Sequence, residues 1–205
     1  MAFYKTVGKA ASDEFTEKRS RFIGYAAPVQ TEEAAVRFIS DIRAKHWDAK
    51  HNVYAYSLRA GQQKRYSDDG EPKGTAGVPV LDVLQKGEVV DAVLVVTRYF
   101  GGVLLGTGGL VRAYSHAAAL AVAAAGIVTV RRCAVCELRC DYTRLAPAQS
   151  MVGEAGRLLD QEFGADVKLT FLLPEEETAT FETRLLDAFC GRVAMRITGY
   201  DYHPF

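Results

Sequence analysis

Residues 92 to 97 read Ala-Val-Leu-Val-Val-Thr, a continuous apolar and β-branched run near the middle of the 205-residue chain. Such a run predicts a strand that is covered on both faces. A glycine-rich segment follows from Arg98 to Gly108. An alanine-rich helix is then predicted for Gly109 to Ala125, and Gly126 ends it at a position suited to a left-handed cap. A buried strand, a glycine-rich loop and a helix indicate an α/β unit.

The residues before this strand predict a sheet with a covering helix. Alternation of polar and apolar residues predicts three strands, at 3–9, 13–18 and 21–28. A helix is predicted to open at Thr31, where two glutamates follow. Further along, a strand is expected at 53–58, a polar turn-rich loop at 62–77, and a helical segment at 78–84.

The pattern starts again after Arg131 and Arg132. It predicts a strand at 133–140, a helix near 143–153, a hairpin of 157–163 with 167–173, a helix at 177–189 and a strand at 193–200. This βαββαβ order is the ferredoxin-like split pattern. We therefore expect a mixed α/β (α+β) protein of two domains, 1–130 and 131–205, that abut through a short connection.

Composition excludes several classes of protein. The chain has 25 basic and 25 acidic residues, so its formal charge of zero argues against a binder that works by bulk charge. The N-terminus shows no signal peptide and no stretch is long enough to span a bilayer, so we expect a cytoplasmic protein with no membrane partner. The four cysteines lack the spacing of a zinc site, and we expect structural cysteines and no metal.

The glycine-rich segment is the first candidate binding site. Its glycines allow backbone amides to approach a ligand, and the helix start adds free N–H groups and a positive dipole end. The predicted phosphate-binding or nucleic-acid-binding residues are Arg98, Tyr99, Gly101, Gly102, Gly106, Gly108, Gly109 and Arg112. We place Arg112 in the first turn of the helix, and Tyr99 or Phe100 could stack on bases. Two alternatives stay open: tight glycine turns, and arginines that pair with internal acids. Thr107 stands where a P-loop needs lysine, which argues against a nucleotide triphosphatase.

A second candidate is the acidic loop Ser67, Asp68, Asp69, Gly70 and Glu71. Its carboxylates could hold Mg²⁺ or divide into a general acid and a general base. Turn formation and capping of backbone amides explain the same residues, and we favour that interpretation. A third feature is basic, because Lys18, Arg19 and Arg21 could track a sugar-phosphate backbone if they share one surface.

Three strings together resemble the signature segments of the YigZ/IMPACT family: Lys-Arg-Ser-Arg-Phe-Ile at 18–23, SDDGEPKGTAG at 67–77, and TRYFGGVLLGTGGLVRAY at 97–114. The resemblance covers essentially the whole chain. It implies an N-terminal α/β sandwich like the second domain of a small-subunit ribosomal protein and like domain IV of elongation factor G. It also implies a C-terminal ferredoxin-like domain similar to domain V of that factor.

The resemblance links the family's eukaryotic members to regulation of translation through a protein partner, and it brings neither a catalytic residue nor a cofactor. Our leading expectation is a non-enzymatic protein that binds structured RNA or the ribosome. One alternative is an enzyme that acts on a phosphorylated small molecule with the glycine-rich and acidic loops. The other is a protein-interaction module that binds a translation-regulating protein. The sequence leaves the oligomeric state open.

Overall fold

The computed structural model describes residues 3–204, which divide into two compact units. The first unit runs from Tyr4 to Thr129, and the second takes Val130 onward together with Phe3. The elements up to the end of the first unit are β1 (Phe3–Val7), β2 (Ala11–Glu17), β3 (Ser20–Pro28), α1 (Glu32–Lys45), β4 (His51–Ser57), β5 (Lys64–Ser67), α2 (Gly77–Lys86), β6 (Ala92–Tyr99) and α3 (Thr107–Ala125).

The first unit is built on an antiparallel sheet of order β2-β3-β6-β4-β5. Strand β6 lies in its middle and is covered on both faces, as its apolar run predicts. Val93 and Val95 pack in one core with residues of α1, whereas Leu94 and Val96 pack in the other with residues of α2 and α3. Alternate side chains of a strand point to opposite faces, so one continuous apolar run serves two cores.

Two expectations for the first unit need correction. The loop predicted for 62–77 contains strand β5, a short exposed edge strand paired with β4. Its sequence Lys-Arg-Tyr-Ser has too little alternation to announce a strand. Helix α3 begins at Thr107 rather than Gly109, because Leu110 N–H already bonds to the carbonyl of Gly106 at 2.9 Å. Arg112 therefore lies in the second turn of the helix and not in the first.

The second unit has the predicted βαββαβ order. Its elements are β7 (Ile127–Cys140), α4 (Leu145–Ala155), β8 (Arg157–Phe163), β9 (Val167–Pro174), α5 (Thr178–Ala188) and β10 (Met195–Pro204). Strand β7 pairs antiparallel with β9 and β10, and β9 pairs antiparallel with β8. Residues of both helices pack against the strands in one core, where Phe171 and Phe181 are fully buried. The fold class is thus a mixed α/β protein with a ferredoxin-like second unit.

No helix in the part of the chain that the structure describes is long and apolar enough to cross a membrane.

Candidate functional site

The candidate residues meet at one end of the first unit's sheet. Strand β6 ends there, and both of its neighbours begin there, because Arg21 of β3 pairs with Tyr99 and His51 of β4 pairs with Arg98. The glycine-rich segment leaves β6 at the same end and leads into α3. Antiparallel pairing therefore gathers stretches of sequence that are far apart in the chain.

The β2–β3 hairpin turn closes against the glycine-rich segment. Lys18 and Arg19 form this two-residue turn with positive φ angles of 44° and 66°, and both are exposed. Such turns usually carry asparagine or glycine, since other residues strain at positive φ. A Cβ on Gly101 would lie 2.0 Å from the backbone of Arg19. Glycine at 101 is therefore required by the close approach of the hairpin.

Arg98 is a buried, partly satisfied cation, and its side chain is only 6% exposed. Its Nη1 donates to Glu71 Oε1 at 2.6 Å, and its guanidinium carbon lies 5.4 Å from the centroids of the Phe22 and Phe100 rings. The Nε–H is buried without a hydrogen-bond partner among the described residues. The internal ion pair that the sequence left open as an alternative is present, while one donor of Arg98 remains unused.

Glu71 connects the acidic loop to the glycine-rich segment. Its side chain is 5% exposed, and Oε1 also accepts from Tyr114 Oη at 2.7 Å. Burial, reinforced by this carboxylate, raises the pKa of Tyr114 and keeps the phenol protonated. His51 Nδ1 donates to the carbonyl of Asp69 at 2.8 Å, which leaves its Nε2 3.9 Å from Glu71 Oε1. The two candidate loops thus form one polar cluster rather than two sites.

The other two carboxylates of the acidic loop, Asp68 and Asp69, accept hydrogen bonds that fix the conformation of the loop. Asp68 accepts N–H bonds from Gly74, Ala76 and Gly77 at 2.8–3.1 Å. Burial alone would raise the pKa of Asp68, but these three donors outweigh it and hold the pKa below its ordinary value. Asp69 accepts from Arg43 Nη2 and from Asn52 N–H, both at 2.7 Å. Ser67 Oγ accepts from Asp69 N–H. Gly70 has a positive φ of 87°, and a Cβ at this position would lie 3.4 Å from the His51 ring.

A cavity of about 400 Å³ opens where this cluster meets the start of α3. Lys50, His51, Glu71, Arg98, Phe100, Leu104, Gly106 and Thr107 are among the residues that line it. Gly106 is the N-cap of α3, and no side chain caps the helix. The first amides of the helix are therefore open to a ligand, with the positive end of the helix dipole behind them. No described group of His, Cys, Asp or Glu side chains is arranged to hold a metal ion.

Arg112 lies beside this cavity rather than in it. It lines a smaller cleft of about 230 Å³ with Phe15, Lys18 and His116. A Cβ on Gly108 would lie 3.7 Å from Arg112 Nη1, so the guanidinium reaches back to the first turn of α3. Arg112 thus lies close to the helix start although it is one turn further along than predicted.

The aromatic residues divide into one that is engaged and two that are exposed. Tyr99 is half-buried, and its hydroxyl donates to Asp48 at 2.9 Å and bonds His46 Nδ1 at 2.9 Å. Phe100 is 45% exposed, and Trp47, beside Asp48, is 84% exposed. Sequence reasoning missed Trp47 and Lys50. The signal for both was the chain's one tryptophan in a polar stretch, followed three residues later by a lysine.

All four cysteines lie in the second unit. Cys133, Cys136 and Cys140 are buried and Cys190 is exposed. Burial raises the pKa of the Cys136 thiol to about 11, so this thiol is protonated and inert at neutral pH.

Comparison with known proteins places this geometry in a family. The sequence profile for the Impact N-terminal domain matches residues 18–122, and that for a domain of unknown function, DUF1949, matches residues 138–192. The IMPACT family member YvyE of Bacillus subtilis is 37% identical over 191 residues, covering 92% of this chain and 88% of the relative. The IMPACT family member YigZ of Escherichia coli is 39% identical over 184 residues, covering 87% and 89%.

A solved structure shares the architecture. It is described as the crystal structure of a hypothetical protein, and it matches with a TM-score of 0.62 and 33% identity over 97% of this chain and 98% of that one. Fold and site define a two-unit α/β protein with a polar cavity at the end of the first unit's sheet. The chain belongs to the IMPACT family.

Proposed function

We propose that this protein binds structured RNA through the cationic end of its first unit, defined as Lys18, Arg19, Lys50 and Arg112 with the exposed rings of Trp47 and Phe100. One observation carries the proposal. All four cations are exposed, and no described carboxylate forms an ion pair with any of them. Two acids at the same end are already engaged, Glu71 by Arg98 and Asp69 by Arg43, whereas Glu17 lines the Arg112 cleft without an ion pair to a described cation.

The chemistry of this end suits RNA. Uncompensated lysines and arginines bind phosphates and release counterions, even on a chain whose overall charge is zero. Exposed aromatic rings stack on unpaired bases, which single-stranded loops of structured RNA present. The resemblance of the first unit to ribosomal-protein and elongation-factor domains supports a partner of this class, including the ribosome, although fold alone does not fix function.

The affinity for a fluorescent RNA hairpin, measured by anisotropy as a function of salt, tests this proposal. Removing Lys18, Arg19 or Arg112 by substitution with alanine should make the slope of log K against log salt shallower by about 0.7 to 0.9 for each lost contact. Trp47→Ala and Phe100→Ala should weaken binding with little change of slope, because stacking releases no counterions.

Arg192→Ala is the matched control, since Arg192 is an exposed arginine of the second unit without an ion pair to a described residue. It should leave both affinity and slope unchanged. Wild-type affinity at every salt concentration in all five variants would contradict RNA binding by this end.

The 400 Å³ cavity supports a second candidate function, an enzyme that acts on a phosphorylated small molecule. In that case His51 Nε2 and Glu71 would be the groups available for proton transfer. Turnover of phosphate esters by the purified protein, lost in His51→Gln, would favour this alternative over the RNA-binding proposal.

A further inference from the structure

The start of α3 is more open than its packing requires. Gly106 has a positive φ of 72°, which accounts for glycine at the N-cap. Gly108 has no such reason, because its φ is helical and a Cβ there would meet only the Arg112 side chain at 3.7 Å. Glycine is disfavoured relative to alanine inside a helix. The N-cap and the second residue of α3 therefore carry no side chain, and only the N-cap glycine has a structural reason.

A buried donor at the same cavity lacks a partner. Arg98 lines the cavity, is 5% exposed as a residue, and has an Nε–H without a hydrogen-bond partner. Such a group is rare in folded proteins, since a buried unsatisfied donor is destabilising. Lys50 lines the same cavity and forms no ion pair with a described carboxylate. The open helix start, the unused donor and the free ammonium all favour an anion.

We propose that this cavity binds a terminal phosphate, that is, a phosphate monoester dianion such as the 5′-phosphate of an RNA strand. The proposal rests on the RNA-binding function proposed above and adds recognition of the strand end. A monoester has three free oxygens and about −2 charge at neutral pH, against two oxygens and −1 for a diester inside a strand. Its oxygens would accept from the Thr107 and Gly108 amides and from Lys50, and the buried Arg98 Nε–H would join them only after its side chain shifts toward the cavity. The charge of Arg98 is already offset by Glu71, so the helix dipole and Lys50 supply most of the net attraction.

The low exposure of the polar side chains that line this cavity also favours an end group over an internal phosphate. The side chains of Arg98 and Glu71 are only 6% and 5% exposed. A terminal phosphoryl group can enter alone, while an internal diester would have to bring the sugars on both of its sides. The same monoester chemistry occurs in a free nucleoside monophosphate, so the test has to separate the two sources.

The test uses the full-length protein and two single-stranded RNA oligonucleotides that differ only in a 5′-phosphate or a 5′-hydroxyl. Wild-type protein should bind the phosphorylated strand at least about tenfold more tightly. Thr107→Asp places a carboxylate in the first turn of α3, where it is compatible with helix formation and repels an anion. It should reduce the affinity ratio of the two strands to about one. Thr107→Asn has nearly the same size without the charge, and should lower the ratio much less than Asp does.

The outcomes separate this proposal from RNA binding itself. Equal affinity of the wild type for both strands would overturn the terminal-phosphate site and leave RNA binding intact. Failure of both strands to bind would contradict RNA binding, and titration with a nucleoside 5′-monophosphate would then decide the cavity alone. Binding of that nucleotide, lost in Thr107→Asp, would support the monoester site with a small-molecule source. No binding of the nucleotide either would overturn it.

Discussion

The two units of this protein use their positive charges differently. In the second unit most lysines and arginines pair with a nearby carboxylate, as in Arg132 with Glu175, Arg184 with Glu154 and Arg196 with Glu137. In the first unit Arg21, Arg43 and Arg98 also have such partners. By contrast, no ion pair to a described carboxylate is formed by the four exposed cations at the end of the sheet, Lys18, Arg19, Lys50 and Arg112. The positive charges of a chain with zero formal charge are therefore distributed unevenly, with exposed, unpaired cations at the sheet end of the first unit.

The two units also differ in whether their ion pairs are buried or exposed. The Arg98–Glu71 pair has side chains that are 6% and 5% exposed, whereas Arg196 and Glu137 are 72% and 18% exposed. Water screens the second pair but not the first. The first unit thus holds a polar cluster inside its sheet end, which positions the wall of the cavity.

The largest difference between the two units should appear in the free energy of unfolding when the carboxylate of each ion pair is removed. Glu71→Ala leaves Arg98 buried without its counter-charge and should lower the free energy of unfolding by about 3 to 5 kcal/mol. Glu137→Ala should lower it by less than about 1 kcal/mol. Urea denaturation of both variants measures this, and equal losses would remove the distinction between the two units.

Gly101, which lies against the β2–β3 turn, should give the next largest effect on stability. Gly101→Ala pushes a methyl group into the backbone of Arg19 and should cost about 1 to 3 kcal/mol of stability. Gly153→Ala, in helix α4 of the second unit, meets no atom within 4 Å and should stabilise the protein by about 0.4 to 1 kcal/mol. Effects of the same sign in thermal unfolding would be inconsistent with the described packing at 101.

Asp68 should give a smaller effect that depends on pH. Because its pKa is lowered on folding, the carboxylate adds stability above its ordinary pKa of about 3.9, and this is lost as the pH falls through the folded value. Asp68→Asn should therefore cost about 1 kcal/mol at pH 7, and this cost should shrink as the pH falls below about 3.9 and through the lowered folded pKa. Asp160→Asn, at an exposed position of β8, is the control without this profile. A cost for Asp68→Asn that does not change with pH would show that the charge plays no part in capping.

The sequence predicted elements that a strong local pattern specifies. The apolar run at 92–97 forms the central strand β6. The turn between β8 and β9 lies at 164–166, where the sequence reads Gly-Ala-Asp. Strand β5 was missed because an exposed edge strand needs no apolar alternation. The meeting of Glu71 with Arg98, 27 residues later, could not be predicted either. It depends on antiparallel pairing that brings His51 beside Arg98, a tertiary fact with no local signal.

Amide chemical-shift mapping on addition of an RNA hairpin tests most directly whether the first unit's sheet end is the ligand surface. Chemical-shift changes should concentrate at Lys18, Arg19, Lys50 and the segment from Phe100 to Arg112. The chemical shifts of amides in β7 to β10 should not change. The response should weaken with added salt, as phosphate contacts do. Perturbation confined to the second unit, or none at RNA concentrations that saturate other RNA-binding domains, would contradict the assignment of function to this surface.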